Sequence, residues 1–356
     1  MDLEVDESAA LVAAVGACAT AAATIVSAVV KKEKSNILTL PARDIDAMLQ
    51  DPSYNKWFQD NLGFTQKSFR ILCKLFRPLQ QTKPAAYITH SFEKRVAVTL
   101  YNLNSMGGFR DAAQTFGVSK SWTITAVNAM LRAISNDYKR FIHLPLSLEE
   151  WHAEQEAFEM RAGVPLVCAA VDGTLIDLNR FEDYEGWYCR KGYPSVNLQA
   201  VVDHKQRFIS FDLRPGSWSD KKIWLASQFG QRVDEILPPG GLIVGDAGYT
   251  LYNTMLTPYE TRDHELDLSR REHNYNFHHS RTRIVVECTF ARWKNRFRIL
   301  KRPQEAKTVY NVSSTIVASM VLHNIAIDIR DTTPISDAVI PSTEEEPIGE
   351  STTDGS

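Results

Sequence analysis

The sequence predicts an α+β protein of the broad α/β class, in which an all-helical N-terminal domain precedes a mixed sheet flanked by helices. Two observations support this fold class. Before Pro145, apolar residues recur with the three- and four-residue spacing of amphipathic helices. After Pro145, short apolar runs typical of strands alternate with helical segments. With 44% hydrophobic and 23% charged residues, a chain of 356 residues can bury a substantial core.

Charge is unevenly distributed along the chain, although the net charge is only −3. Between Arg281 and Arg302, eight Lys or Arg residues stand against one acid, whereas the chain from Asp331 onward has seven acids and no base. The net charge alone therefore does not indicate a nucleic-acid partner. The five cysteines form no CxxC pair, which argues against a disulfide scaffold and a structural zinc site, and favours a reducing compartment.

Residues 1–40 are predicted to form an Ala-rich arm that is helical or poorly ordered. Residues 9–30 contain no charge and are long enough to span a bilayer. However, Ala, Gly, Ser and Thr dominate this run, and the residues before it are acidic, unlike the basic start of a signal peptide. We therefore expect a soluble arm, and a membrane or targeting role is the less favoured alternative.

Residues 41–145 are predicted to form the helical domain. A first helix starts at Thr65, where apolar residues follow the helical period, and ends at Pro78. A second helix covers residues 91–104 and opens with a Ser that can cap it. The segment before Thr65 carries loop signals and mixed character, so no element is predicted there.

Residues 107–135 have the pattern of a helix-turn-helix. One helix reaches Gly117, and Ser119 starts the next. The functional interpretation is that the second helix contacts DNA, and Lys120 is then a candidate phosphate contact. The alternative is a plain helical hairpin. Lys120 and Arg132 are the only basic residues of the second helix, which is few for phosphate binding.

Residues 146–330 are predicted to form the second folded domain, and residues 331–356 an acidic, disordered tail. Residues 260–280 are polar and rich in His and Arg, and show no period. The predicted strands cover 164–172, 195–203, 207–213 and 241–246, and the predicted helices cover 147–162, 220–229, 281–300 and 314–327. The order of three strands, a helix, a strand and a helix is that of a ribonuclease-H-like domain.

Two aspartates close predicted strands and stand next to turn residues. Asp172 ends CAAVD before Gly173, and Asp246 ends LIVGD before Ala247-Gly248. An acid at this position is partly shielded from water, and the turn beside it leaves room for a ligand. An Asp that only caps a turn is the alternative for each residue alone. Two such residues in one domain favour a shared site.

Glu287 is the single acid of the basic segment. At about 100° per residue, one helical stripe contains Val286, Phe290, Trp293, Phe297 and Leu300, and it is predicted to face the core. Glu287 lies at the border of this stripe. It can form an i,i+4 ion pair with Arg283, worth a few tenths of a kcal/mol. It can equally serve as a metal ligand.

Three carboxylates without a His or Cys cluster favour Mg²⁺ or Mn²⁺ over Zn²⁺. Asp172, Asp246 and Glu287 are therefore the predicted catalytic and metal-binding residues. Two such ions about 3.5–4 Å apart can activate water or a 3′-hydroxyl and stabilise the leaving oxygen during phosphodiester cleavage. The constellation predicts a metal-dependent phosphoryl-transfer site.

The chain resembles the PIF/Harbinger family of DDE transposases and the nucleases derived from them. The resemblance extends from Val171 to Leu300 in the expected order. The motifs that carry it are VDGT (171–174), WYCRKGYPSVNLQAVVD (187–203), PGSWSD (215–220), VGDAGYTLYNTMLTPY (244–259), NFHHSRTRIVVE (276–287) and FARWKNRFRIL (290–300). The helical N-terminal segment is also similar to that of the family. Two small departures are Ala291, where the family usually has Gly, and Trp293, where Leu is common.

The resemblance implies a ribonuclease-H-like core in which the three catalytic acids are Asp172, Asp246 and Glu287. Asp220 matches the Asp of a Gly-Ser-x-x-Asp turn, and we interpret it as a helix cap or supporting residue rather than a metal ligand. The implied activity is cleavage and joining of DNA at transposon ends with two Mg²⁺ or Mn²⁺ ions. The candidate phosphate contacts are Arg190, Lys191, Arg283, Lys294 and Arg298.

The resemblance also implies DNA as the partner, together with a separate Myb/SANT-like DNA-binding protein. The expected location is the nucleus, or the cytoplasm in the absence of that partner, and the chain could act as a homo-oligomer. Two alternatives remain open. One is a domesticated DNA- or protein-binding factor without catalytic activity, and the weaker one is a protein tethered to a membrane by its Ala-rich arm.

Overall fold

The computed structural model describes residues 43–79, 90–179, 186–261, 267–305 and 308–335. The Ala-rich run at 9–30 lies outside these residues, as does the acidic tail from residue 336 onward. The residues described here belong to one compact unit that starts at Ala42. Within them, no helix combines the length and the apolar character that a membrane crossing requires.

Six α-helices and three short 3₁₀ helices form the part of the helical region that the structure describes. Side-chain caps fix several helix starts, because Ser or Thr oxygens accept hydrogen bonds from free backbone N–H groups of the first turn. The α-helices are α1 (Ile45–Met48), α2 (Asn55–Leu62), α3 (Gln66–Phe76), α4 (Phe92–Asn104), α5 (Gly108–Phe116) and α6 (Lys120–Asn136). The 3₁₀ helices cover Pro52–Tyr54, Arg77–Leu79 and Tyr138–Arg140.

The helix-turn-helix shape predicted for residues 107–135 is present. Helix α5 ends at Gly117, whose φ of 61° is the left-handed conformation that glycine adopts easily. Ser119 then caps α6 by accepting a hydrogen bond from the Trp122 N–H. Helices α1 and α2 were not predicted, because the residues before Thr65 are short helical pieces separated by turns.

The C-terminal half contains a five-stranded mixed sheet with helices on its faces. The strands are β1 (Val167–Asp177), β2 (Ser195–Val202), β3 (Phe208–Pro215), β4 (Leu242–Val244) and β5 (Met255–Leu256). Their order across the sheet is β3-β2-β1-β4-β5. The first three strands pair antiparallel, whereas β4 pairs parallel with both β1 and β5. This arrangement agrees with the ribonuclease-H-like fold expected from the element order.

Six α-helices of the described chain belong to this half. They are α7 (Leu148–Ala162), α8 (Asp220–Ala226), α9 (Gln228–Gln231), α10 (Val233–Ile236), α11 (Arg270–Arg296) and α12 (Val309–Asp328). The single helix predicted for 220–229 is divided, since Ser227 ends α8 and caps α9. A 3₁₀ turn, Arg298–Lys301, follows α11.

Two boundaries differ from the sequence prediction in ways that affect the site. Strand β1 does not end at Asp172 but continues to Asp177, because its later residues pair with β2 as far as Ser195. Helix α11 starts at Arg270 rather than at residue 281. Ser269 and Glu272 form a capping box at its start, and its first turns lack a hydrophobic period because they are largely solvent-facing.

The core is continuous between the helical region and the sheet. Residues of α3, α4 and α6 pack in one hydrophobic cluster with residues of β1, β2, α11 and α12. Trp293 is fully buried at its centre, and its indole N–H donates to Ser319 Oγ at 3.0 Å. The whole predicted stripe of α11 is buried, with no member more than 8% exposed. The predicted tail also differs at its start, because the Asp331 carboxylate accepts hydrogen bonds from Thr65 and Arg296 in the folded body.

Candidate active site

Asp172 lies in the middle of β1. It pairs with Ala200 of β2 and precedes Gly173, whose backbone N–H donates to Asp172 Oδ1 at 2.7 Å. Its other oxygen, Oδ2, accepts a hydrogen bond of 3.2 Å from Arg283 Nη1. The side chain is 17% exposed. Asp172 is therefore held on a rigid strand with one face open to solvent.

Asp246 lies beside Asp172 because β1 and β4 run parallel. Ala170 of β1 pairs with Val244 of β4, so each aspartate follows the paired residue by two positions. Asp246 begins the turn after β4, and its Oδ1 accepts the Gly248 N–H at 2.9 Å. The two aspartates therefore lie side by side, one on the inner strand β1 and one just after the inner strand β4.

Asp220 is the third acid that the fold brings to this position. Ser219, not Asp220, caps α8, because Ser219 accepts the Lys222 N–H. The carboxylate of Asp220 is free to turn toward the sheet, where it lies over Gly173. A Cβ atom at position 173 would collide with Asp220 Oδ1, so the glycine is what admits this carboxylate. The interpretation of Asp220 as a cap is wrong.

Polar side chains of the sheet form a floor under the three aspartates. Asn197 donates to Asp220 Oδ1 at 3.3 Å, and Gln199 donates to the Asp220 carbonyl and to the Tyr249 hydroxyl, both at 3.0 Å. Burial raises the pKa of the Tyr249 hydroxyl well above its usual range, and the three aspartates add to the effect. Tyr249 is therefore a neutral neighbour of all three acids.

Glu287 reaches this site through Arg283. The two residues form the predicted i,i+4 ion pair on α11, between Arg283 Nη2 and Glu287 Oε1. Because Arg283 also binds Asp172, one guanidinium bridges two of the three predicted catalytic carboxylates. Glu287 keeps 36% of its side chain exposed, as expected at the border of the buried stripe.

The site concentrates negative charge in a partly buried place. Burial raises the pKa of the Asp172 carboxyl to about 7. Arg283 opposes this increase, whereas Asp246 and Asp220 add to it. Burial also raises the pKa of Asp220, while its hydrogen bond from Asn197 opposes the change and Asp246 adds to it. Neighbouring carboxyls with a raised pKa, here Asp172 and Asp220, are typical of a site that binds cations.

The donor set fits hard divalent cations such as Mg²⁺ or Mn²⁺. All the available donors are oxygens, and the Arg283 guanidinium already takes the place of a positive charge between Asp172 and Glu287. Among the described residues, no three His, Cys, Asp or Glu side chains already surround a single point within reach of one ion. Arg283 already binds Asp172 and Glu287, so it would compete with an ion for these two carboxylates.

The predicted phosphate contacts separate into two groups. Lys120, Arg190 and Lys191 are exposed, and the charge of Arg190 is close enough to lower the pKa of Asp220. Lys294 is partly buried and bonds other protein atoms, and Arg298 also bonds protein atoms although its side chain stays exposed. Lys294 Nζ donates to Thr174 Oγ1 at 2.7 Å and to the Leu175 carbonyl at 3.1 Å.

These internal contacts favour structural roles for Lys294 and Arg298. Burial lowers the pKa of Lys294 to about 8, as expected for an ammonium group held under the sheet. Arg298 Nε donates to the Asn104 carbonyl at 2.7 Å and so ties the end of α11 to α4. Arg283 forms the predicted ion pair with Glu287 and also binds Asp172, so its guanidinium lies among the acids. Contact of any of these residues with DNA stays a prediction.

The residues that sequence reasoning missed are Asn197, Gln199 and Tyr249. Asn197 and Gln199 occupy alternate positions of β2, so both point to the face that carries the acids. A signal was present, because amide side chains are uncommon in a strand whose other residues are apolar and buried. Only the register of β2 against β1 shows that they lie under Asp220.

Known proteins match the chain over the part that contains this site. Residues 171–324 match the DDE superfamily endonuclease family. The chain is 29% identical over 303 residues to "Protein ALP1-like" of Arabidopsis thaliana, which covers 78% of this chain and 72% of that protein. It is 25% identical over 297 residues to "Putative nuclease HARBI1" of Homo sapiens and of Rattus norvegicus, which covers 80% of this chain and 82% of each relative. No solved structure matches the chain.

The family match starts one residue before Asp172 and includes Asp220, Asp246 and Glu287. It ends at Asn324 in α12, so it contains β1 from Val171 onward, the strands β2 to β5, and the helices α8 and α11 that carry the site. These matches confirm the resemblance indicated by the sequence motifs. The chain therefore carries a DDE superfamily endonuclease domain and is homologous to the ALP1-like and HARBI1 proteins.

Proposed function

We propose that this protein is a metal-dependent DNA endonuclease that cuts strands at transposon ends and can join the freed 3′-end to target DNA. The observation that carries the proposal is the convergence of Asp172, Asp220 and Asp246 beside the inner strands β1 and β4, with Glu287 linked to Asp172 through Arg283. Oxygen ligands without His or Cys suit the ions used in phosphoryl transfer.

In this proposal Asp172, Asp246 and Glu287 hold two Mg²⁺ or Mn²⁺ ions, and Asp220 supplies a further carboxylate. When bound, such ions lower the pKa of water or of a 3′-hydroxyl and stabilise the leaving oxygen. Asp172 must lose its proton before it can serve as a ligand. Arg283 must release Asp172 and Glu287, and its guanidinium then becomes available for a DNA phosphate.

The chain's own residues also position the substrate. The backbone of β1 and the polar floor of Asn197 and Gln199 keep Asp172 and Asp220 in place. The exposed Arg190 and Lys191 precede β2 on the side of Asp220, where they can neutralise DNA phosphates. No covalent protein intermediate is required, since water and then the 3′-hydroxyl are the nucleophiles.

Partners and location are proposed from the resemblance. The exposed face of α6 has only Lys120 and Arg132 as cations, which supports a separate Myb/SANT-like protein that supplies DNA specificity. DNA binding by the chain alone would then be weak and not specific for sequence. Action in the nucleus and assembly as a homo-oligomer remain predictions.

A nicking assay on supercoiled plasmid tests the proposal. The intact protein is expected to nick DNA with Mg²⁺ or Mn²⁺ and not with EDTA, and Asp246→Asn is expected to reduce nicking at least about 100-fold. Asp234→Asn, which changes an exposed aspartate of α10, serves as the matched control and should cut normally. Equal cutting by Asp246→Asn, or cutting in EDTA, would contradict the mechanism.

One observation favours a second candidate function, that of a DNA- or protein-binding factor without catalysis. Arg283 occupies two of the three predicted catalytic carboxylates, so an ion must compete with an internal cation. Calorimetric titration with Mn²⁺ separates the two functions. Binding that is lost in Asp172→Asn supports the nuclease, whereas the absence of any binding supports the factor.

A further inference from the structure

A small basic cavity lies apart from the acidic site, where the β2–β3 turn meets the ends of α11 and α12. Its volume is about 150 Å³, and one side is open to solvent. The polar residues that line it are Lys205, Arg292, Arg296, His323, Arg330 and Asp331. Four of these side chains are cationic and one is a carboxylate.

The one carboxylate is already used by the fold. Asp331 accepts a hydrogen bond from Arg296 Nη1 at 3.1 Å and others from Thr65 and Thr333, and its side chain is fully buried. His323 adds no charge, because burial lowers its pKa to about 3 and its Nε2 bonds the Gln206 carbonyl. The positive charge of Lys205, Arg292 and Arg330 around the cavity is therefore not balanced by its lining.

Two further features indicate a ligand for this cavity. Arg296 is only 5% exposed, and its buried Nε makes no hydrogen bond. A buried donor without an acceptor is unfavourable, and Arg296 is one of the residues that line the cavity. Arg330 ends α12 in the left-handed conformation, with φ of 52°, where glycine is the usual residue. The strained backbone conformation of Arg330 thus occurs at a position that lines the cavity.

We infer that this cavity binds a phosphoryl group. The volume suits a single small tetrahedral anion rather than a nucleotide. Arginine is also the side chain best suited to phosphate, because its planar fork donates two parallel hydrogen bonds. A DNA phosphodiester and free inorganic phosphate share this chemistry. The inference does not rest on the proposed nuclease activity, since binding here needs neither the aspartates nor a divalent metal.

Two arms of one experiment, both in EDTA, test the inference and separate the sources. In the first arm the melting temperature of the full chain is measured with 20 mM inorganic phosphate and with NaCl of equal ionic strength. We expect phosphate to raise it by roughly 2–4 °C. In the second arm, anisotropy of a labelled 30-base-pair duplex gives the affinity as a function of NaCl concentration.

The variants are chosen so that folding is preserved. Arg292→Gln changes an exposed side chain, and Arg330→Asn keeps a residue that tolerates the left-handed conformation. Arg161→Gln is the matched control, because Arg161 is also exposed and lies at the end of α7, where the carbonyl of the following residue, Ala162, bonds His278 of α11. His278 is about 21 Å along the helix from Arg292. Melting in NaCl alone verifies that all three variants are folded.

A phosphate shift that is lost in Arg292→Gln and Arg330→Asn, but kept in Arg161→Gln, supports the site. If the same two variants also weaken duplex binding about 3- to 10-fold and each reduce the salt slope by about one, the source is a DNA phosphate. If duplex binding does not change, the source is free phosphate. Equal behaviour of the two variants and the control in both arms would overturn the inference.

Discussion

At the scale of single residues, the site depends on a glycine, Gly173, at a position where a side chain would not fit. Gly173 has no Cβ, and this absence lets the Asp220 carboxylate approach β1 next to Asp172. The resulting proximity of Asp172, Asp220 and Asp246 raises the pKa of Asp172 beyond the effect of burial. The charge state of Asp172 therefore controls both the stability of the metal-free protein and its affinity for cations.

The first residue-scale prediction concerns pH and metal binding. Because the pKa of Asp172 is about 7 in the folded protein, a cation must displace a proton below that pH. We expect affinity for Mn²⁺ to rise about tenfold per pH unit up to pH 7 and then to level off. Calorimetry between pH 5.5 and 8.5 measures this, and a profile that is flat across this range would contradict it.

The stability of the metal-free protein should fall with rising pH, in contrast to its affinity for Mn²⁺. A carboxyl whose pKa is raised by folding favours the neutral form, so its penalty grows as pH increases from 3.8 to about 7. Asp172→Asn should therefore raise the melting temperature of the metal-free protein at pH 8 and have little effect at pH 4. A variant that is more stable yet does not bind metal would identify Asp172 as a functional residue rather than a packing one.

The second residue-scale prediction concerns Arg283. Its guanidinium occupies Asp172 and Glu287 together, so an incoming ion competes with it. Arg283→Ala should bind Mn²⁺ several-fold more tightly than the intact protein once Asp172 is ionised in both, and the variant needs a higher pH for this because Arg283 lowers the pKa of Asp172. The same variant should be less stable in EDTA. A loss of affinity greater than about tenfold would instead mean that Arg283 orients the carboxylates for the metal.

At the scale of elements, α11 joins the site to the helical region. Arg283 and Glu287 in its middle face the acids, and Trp293 is fully buried in the core. Near its end, Arg296 donates to the Gly63 carbonyl at 2.6 Å and pairs with Asp331. The position of Glu287 is therefore fixed by contacts that lie far from it along the same helix.

The element-scale prediction concerns the buried Arg296–Asp331 pair. Asp331→Asn leaves the Arg296 cation buried without its counter-charge. We expect the free energy of unfolding to fall by about 3 kcal/mol. The pKa of Asp331 is lowered in the fold, chiefly by hydrogen bonds from Ser68 and Thr333 and by Arg296, despite its burial. The stabilisation is therefore present above pH 3.8 and is lost as pH falls through the lower folded value.

Urea unfolding at pH 7 and pH 3 measures this difference. Glu305→Gln is the control, because it breaks the ion pair with Arg302. That pair is also short, at 2.8 Å, but its carboxylate is 45% exposed. The control should change stability by less than about 1 kcal/mol. If Asp331→Asn behaves like Glu305→Gln, the pair does not hold α11 against the helical region.

At the scale of the whole molecule, the predicted division at residue 145 does not separate two cores. Helices α4 and α6 pack in the same hydrophobic cluster as β1, α11 and α12. Asn324 of α12 also bonds the Phe141 carbonyl at 2.9 Å and the Phe208 backbone. Residues before 145 therefore cover much of the apolar surface of α11 and α12.

The whole-molecule prediction is that the two halves fold only together. A chain shortened to residues 146–335 should expose the apolar face of α12 and should aggregate or lack a cooperative transition. A chain of residues 43–335 should unfold in one transition. Denaturant melts followed by circular dichroism check both, and a cooperative melt of 146–335 alone would contradict the shared core.

The sequence by itself determined which three acids are predicted to form the site, the order of β1 to β4 and of the longer helices, and the buried stripe of α11. These follow from spacing along the chain, because side-chain period and helix caps depend on near neighbours. The sequence did not predict that β1 continues past Asp172, since Gly173 beside an Asp is also typical of a turn. Pairing with β2 over residues 195–199 overrides that local preference.

Only the tertiary structure decided which charges meet. Asp220 joins the acids because the start of α8 lies over Gly173. Arg283 bridges Asp172 and Glu287 because α11 packs against β1 near Asp172. The same packing places Lys294 under the sheet, where it bonds Thr174, rather than beside a phosphate. Contacts between residues about 50 to 120 positions apart depend on strand register and helix packing, and these are properties of the folded chain as a whole.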